Sequence, residues 1–148
     1  MYIQQAELTR GVGRDFVKAL TAMSVKEEHE QGDILFRKGD PANHAYLLLI
    51  GCVHLKMGET GQVIYTVRRP GETFGWSSLV DRDVFSSTAE CVKQTTMRKL
   101  HRNDFQKLLE KDPTNGLIFF KRLAGMLGER LLESYASYEK LFRGETFV

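Results

Sequence analysis

The chain has 148 residues, of which 42% are hydrophobic and 27% charged, and its formal net charge is +2. That size and balance describe one globular domain able to bury a core without metals or disulfides. They exclude a disordered chain, and the mixing of Lys and Arg with Asp and Glu leaves no basic stripe of the kind a dedicated nucleic-acid binder carries.

No stretch holds enough consecutive apolar residues to span a membrane, and Met1 to Arg14 has no apolar h-region. A cytoplasmic protein without a signal peptide is therefore expected. Cys52 and Cys91 stand at no metal-ligand spacing and read as two free thiols. His29, His44, His54 and His101 lie scattered, with no paired metal spacing and no nucleophile motif. No metal, no cofactor and no enzymatic activity are expected.

In chain order, Phe16, Val17, Leu20 and Met23 predict a short amphipathic helix within about residues 8–26. From about 29 to 101 the chain reads as short strands. Ile34 and Phe36 alternate before the break at Gly39-Asp40-Pro41, and 45–50 is a continuous apolar run ending at Gly51. Val53, Leu55 and Met57 alternate, Gly58-Glu59-Thr60-Gly61 reads as a hairpin loop, and Val63, Tyr65 and Val67 return to Pro70-Gly71. Period-two strands with a turn about every ten residues predict an antiparallel sandwich or roll. The absence of crossover helices argues against a parallel α/β sheet.

The last stretch, about 103–142, is helical. A first helix starts at Asn103 or Asp104 and carries Phe105, Leu108 and Leu109 on one face. Asp112-Pro113 then has the acidic cap and first-turn proline of a second, long helix. Along it Leu117, Phe120, Ala124, Leu127, Leu131, Ser134, Tyr138 and Leu141 recur at steps of three and four. Phe119, Leu123 and Met126 form a second row. The second row is expected to meet the roll and the first to meet another copy, giving a homodimer.

The order of the glycines is more specific than their number. The run Glu30-Gln31-Gly32-Asp33-Ile34-Leu35-Phe36-Arg37-Lys38-Gly39-Asp40-Pro41-Ala42 is very similar to the opening of cyclic nucleotide-binding domains. So is Ala45 to Val53, and Pro70-Gly71-Glu72-Thr73-Phe74-Gly75 resembles the start of that family's phosphate-binding cassette. The resemblance, to sensor domains like that of catabolite activator protein, covers about residues 20–132. It implies a mainly β, jelly-roll-like β-roll with a short N-terminal helix and a long C-terminal helix that often pairs in a dimer. The helix-turn-helix domain that follows in the family's transcription factors has no counterpart before Val148, so direct DNA binding is not expected.

The resemblance also implies a ligand site in the cassette, here Phe74, Gly75, Trp76, Ser77, Ser78 and Leu79, then Arg82, Phe85, Ser86, Ser87 and Thr88. In the family a glutamate directly after Phe-Gly accepts from the ribose, and an arginine nine or ten residues later pairs with the cyclic phosphate. Trp76 stands where that glutamate belongs, and Phe85 or Ser86 where the arginine belongs. Two lost contacts of about 1.5–3 kcal/mol each weaken binding by roughly two to four powers of ten.

The reading is thus a non-enzymatic regulatory or sensory module that is not a tight binder of cyclic AMP or cyclic GMP. It takes an unidentified small molecule or signals through an unidentified downstream protein. Two alternatives stand beside it. One is a true cyclic nucleotide binder with substituted contacts from Arg82 and the Ser86-Ser87-Thr88 hydroxyls. The other is a haem or hydrophobic-ligand sensor, for which His54 is the histidine to test. Trp76 is expected on the pocket wall.

Overall fold

The structure, a computed structural model, describes residues 7–58 and 61–143. The tip of the hairpin loop expected at 58–61 thus lies partly outside the described residues.

A 3-10 turn at Glu7–Thr9 leads to α1 (Arg14–Met23). The strands follow as β1 (Val25–His29), β2 (Ile34–Phe36), β3 (His44–Ile50), β4 (Val53–Lys56), β5 (Val63–Val67), β6 (Thr73–Phe74), β7 (Thr88–Cys91) and β8 (Thr95–His101). A second 3-10 turn, Trp76–Leu79, separates β6 from β7, and α2 (Arg102–Lys111) and α3 (Pro113–Phe142) close the chain. The strands form two antiparallel four-stranded sheets, ordered β1-β8-β3-β6 and β2-β7-β4-β5. This is the jelly-roll architecture flanked by helices that the sequence predicts.

The roll begins at Val25, four residues ahead of the expected start at His29. Strand β1 escapes sequence detection because it lies at a sheet edge and reads Val-Lys-Glu-Glu-His. Its Val25 is largely exposed, and Glu27 pairs with Lys99 across the ladder at 3.6 Å. Charge on an edge strand discourages pairing with other chains.

Period two decides the rest. On β4, Val53 and Leu55 are buried while His54 and Lys56 alternate with them on the outer face. On β3 both faces are covered: Tyr46 and Leu48 enter the roll interior, and Ala45 packs under the helices. That explains why its sequence is a continuous apolar run rather than an alternation. Gly51 turns the chain between β3 and β4 at φ 125°, where a Cβ would sit 2.4 Å from Thr95 Oγ1 and 2.6 Å from its Cα. No side chain fits there.

A second core lies between the helices and the outer face of the first sheet. It joins Phe16 and Leu20 of α1, Phe105 and Leu108 of α2, and Phe119 and Leu123 of α3. The helix α2 starts at Arg102, just ahead of the expected Asn103 or Asp104. Its cap is the preceding His101, whose Nδ1 accepts from the Asn103 N–H at 3.0 Å. Asp112 caps α3 as expected, accepting from the Asn115 N–H at 3.2 Å with Pro113 in the first turn. Asn115 then reaches across to accept from the Gly13 N–H at 2.8 Å, which ties the start of α3 to the start of α1.

Candidate ligand-binding site

Between β6 and β7 the chain leaves the first sheet, makes the 3-10 turn and returns to the second sheet. The turn opens at Gly75, whose φ of 73° is left-handed. A Cβ on Gly75 would lie 3.1 Å from the Tyr46 ring and 3.2 Å from the His44 carbonyl oxygen, so the position favours glycine on two counts.

The returning segment is zipped to the loop between β2 and β3. The Phe85 N–H donates to Asp40 O at 3.0 Å, the Gly39 N–H to Phe85 O at 2.9 Å, and the Ala42 N–H to Asp83 O at 2.9 Å. Arg102 fastens the same corner from α2. Its Nη1 donates to the carbonyls of Ala42 and Arg82, each at 2.9 Å, and its Nη2 lies 3.6 Å from Asp81.

These bonds aim the Phe85 ring inward. It stacks on Phe36 with ring centroids 3.8 Å apart and planes at 17°. Phe36 in turn stacks with Tyr46 at 5.7 Å, and Tyr46 with Phe74 at 5.0 Å. Burial, with Glu27 nearby, pushes the Tyr46 phenol up to about 12, so it stays neutral.

The cleft left beside this stack is lined by Gly75, Trp76, Ser77, Ser86 and Ser87 with the rings of Phe36 and Phe85, and Leu55 completes it. Its volume is about 10 Å³, about enough for one water molecule. Pockets that enclose a small molecule run from about 300 Å³ upward.

The structure therefore brings together Gly75, Trp76, Ser77, Phe85, Ser86 and Ser87 of the expected set. Phe74 lies fully buried behind them. The others turn elsewhere. The Ser78 hydroxyl donates back to Gly75 O at 2.9 Å, and Leu79 joins the helical core. Thr88 accepts from the Lys38 N–H at 3.0 Å. Arg82 is exposed and does not line the cleft. None of the four histidines lines it either, and His54 lies on the outer face of its sheet. Among the described residues no group of three or more His, Cys, Asp or Glu could hold a metal ion.

Sequence reasoning missed Phe36 and Leu55 as walls of the cleft and Arg102 as its clamp. The inward parity of Phe36 on β2 was the available signal. Outside the roll, a groove of about 670 Å³ runs between the 3-10 turn, α2 and α3, bounded by Leu79, Asp81, Arg102, Phe105 and Phe120.

A second network joins α3 to the turn before β6. The Arg130 Nη2 donates to Thr73 O at 2.7 Å, and its guanidinium lies over the Tyr65 ring, 4.3 Å from the centroid. The Tyr65 hydroxyl donates to Glu72, which also accepts from the N–H groups of Arg68 at 3.0 Å and Arg69 at 2.8 Å. Burial pushes the Glu72 carboxyl up. The Tyr65 hydrogen bond, the two backbone donors and the Arg69 charge outweigh burial and hold the carboxyl below its ordinary value.

Along the expected seam of α3, Leu117, Ala124, Leu131, Tyr138 and Leu141 are exposed. Phe120 and Leu127 are half-buried and pack against the helical core, as does Met126 of the second row. Leu131, Leu132, Tyr135, Tyr138, Leu141 and Phe142 all expose between 51% and 73% of their surface. No helix among the described residues is long and apolar enough to cross a membrane.

A roll of two antiparallel sheets, a 3-10 turn between β6 and β7 and a long closing helix define a jelly-roll regulatory domain with its cassette. The family model for the cyclic nucleotide-binding domain matches residues 26–112, more than half the chain. The chain belongs to the cyclic nucleotide-binding domain family. It is 30% identical over 129 residues to the cyclic AMP receptor protein of Thermus thermophilus, covering 86% of this chain and 58% of that protein. The chain thus spans less than two thirds of that relative's length. A solved cyclic nucleotide-binding domain from Methylobacillus flagellatus superposes with a TM-score of 0.80 at 23% identity, over 92% of this chain and 81% of that one. The sensor domain of the transcriptional regulator DNR from Pseudomonas aeruginosa gives 0.70 at 21% identity, over 87% and 93%.

Proposed function

We propose that this domain is a non-enzymatic regulatory module of the cyclic nucleotide-binding family that does not hold cyclic AMP or cyclic GMP tightly. The observation that carries the reading is Phe85. Phe85 or its neighbour Ser86 stands where the family's phosphate-binding arginine belongs, and the Phe85 ring lies against Phe36 in the interior core. Among the described residues no cation lines the cleft, and Arg82 is exposed to solvent. An unpaired phosphate enclosed there would go without the charge-assisted contacts that offset its desolvation. Trp76, in place of the ribose-binding glutamate, supplies an indole wall instead of a carboxylate acceptor.

Calorimetric titration tests this directly. Dissociation constants above about 100 μM for both cyclic nucleotides are expected. Low-micromolar binding abolished by Arg82→Ala would establish the substituted-contact alternative instead. A visible absorbance band in the purified protein would establish the haem alternative.

The signal passes through a second copy of this chain and a downstream protein. The exposed apolar row on the outer half of α3 supports the homodimer, since a monomer rarely tolerates so large a contiguous patch. Light scattering at tens of micromolar is expected to give twice the monomer mass. Leu131→Asp with Tyr138→Asp is expected to return the monomer, because unpaired carboxylates do not bury in an apolar seam. A monomeric wild type rejects the dimer.

A further inference from the structure

We propose that Phe85 is the built-in occupant of this site, and that the molecule able to take its place is an uncharged aromatic ring bearing one hydrogen-bonding group. This rests on the reading above that the roll interior is the ligand position and holds no cyclic nucleotide.

Three observations carry it. Phe85 does not belong to a regular strand. It is delivered inward from the returning segment, between the exposed Val84 and the exposed Ser86, and held by the Asp40 and Gly39 backbone bonds. A side chain presented this way fills the interior from its margin, as a bound molecule does. Its ring then completes an aromatic stack with Phe36, Tyr46 and Phe74 and leaves about 10 Å³ of the cleft unfilled.

The remaining wall is the third observation. Among the described residues only Thr73 has a side-chain oxygen both fully buried and unpartnered, so the hydroxyls of Ser77 and Ser87, which line the same cleft, keep contact with water. These two are placed where a polar substituent on a ring in the Phe85 position would meet them. Among the described residues no charged side chain lines the cleft, so the chemistry it offers is aromatic stacking and neutral hydrogen bonding. An anion has no partner there.

The test replaces the ring and adds it back. Phe85→Ala is expected to lower the melting temperature, and phenol at millimolar concentration to restore it together with the emission of Trp76. Phenol is expected to bind at least about tenfold more tightly than benzene, the worth of one neutral hydrogen bond, and benzoate not to bind. Adding Ser77→Ala and Ser87→Ala to Phe85→Ala is expected to erase the preference for phenol.

Phe16→Ala, which opens a hole in the helical core, serves as the control for an ordinary buried ring. It is expected to take benzene and phenol without that preference. If Phe85→Ala does not fold, Phe85→Val is titrated by the same thermal shift. Equal affinities for phenol and benzene in the Phe85 variants, no rescue by either ring, or benzoate binding as well as phenol would each overturn the proposal. Cyclic AMP titrated into the wild type tests the underlying reading separately, because its failure there leaves the phenol preference of the variant intact.

Discussion

Arg102 and Ala42 are 60 positions apart in the chain, yet the Arg102 guanidinium donates to the Ala42 carbonyl at 2.9 Å and by the same Nη1 to Arg82 O. One side chain at the start of α2 therefore holds both sides of the corner that delivers Phe85. Its ion pair with Asp81 adds little, since that carboxylate is fully exposed and screened by solvent.

Replacing Arg102 by glutamine removes two charge-assisted bonds from a mostly buried guanidinium. The expected loss is about 2 kcal/mol after discounting for partial exposure. Urea unfolding measures it. Amide exchange is expected to quicken at Ala42 and Phe85, whose N–H bonds the corner protects, before it does so elsewhere in the sheets. Unchanged exchange at those two amides would show that the backbone ladder holds the corner without the guanidinium.

Thr73 offers the opposite sign. Its hydroxyl is buried with no hydrogen-bond partner among the described residues, while its carbonyl is held by Arg130. Thr73→Val keeps the branched shape and the carbonyl but deletes the unsatisfied oxygen. A gain of about 1 kcal/mol is expected by thermal or urea unfolding. A loss of similar size would mean that the hydroxyl finds a partner in solution.

The contact of Arg130 with Tyr65 and Thr73 is the link between α3 and the turn that precedes the cassette. Arg130→Gln is expected to cost roughly 1–2 kcal/mol, from one charge-assisted bond and a cation–π contact at a partly exposed site. Lysine, which lacks the planar fork, is expected to recover less than half of it. Exchange in the second half of α3 reports whether this contact anchors the helix, and no change there would confine its role to the turn.

His44 sets the expected pH dependence. Burial lowers its pKa below the ordinary 6.5, helped by Lys99 and by His101, whose ring lies edge-on at 4.9 Å, and opposed by Glu27. The folded protein thus favours the neutral ring, and the unfolded chain binds more protons. This stability contribution is complete above 6.5 and is lost as pH falls from there through the folded value. Unfolding measured across that window is expected to show stability falling with acid, and His44→Gln to flatten the slope. An unchanged slope in the variant would assign it to other groups.

Sequence alone determined what depends on neighbours along the chain. Alternation on β4, the continuous apolar run of β3, its end at Gly51 and the Asp112-Pro113 cap follow from local periodicity and backbone freedom, which a chain carries wherever it folds. The order of those features was enough for the family.

What periodicity cannot supply is the partner a face will meet. Strand β1 has no apolar rhythm because half of its environment is water, so only its ladder with β8 makes it a strand. Ser78 and Leu79 belong to the cassette in sequence, yet the short 3-10 turn rotates them away from Ser77 and into the helical side. Arg82 was as good a candidate cation as any until the corner held by Arg102 left its side chain in solvent. Phe36 and Phe85 lie 49 positions apart, and nothing local marks them as a pair. Their stacking follows from bringing β2 and the returning segment together, and burial of both rings in one place is a decision only the tertiary structure makes.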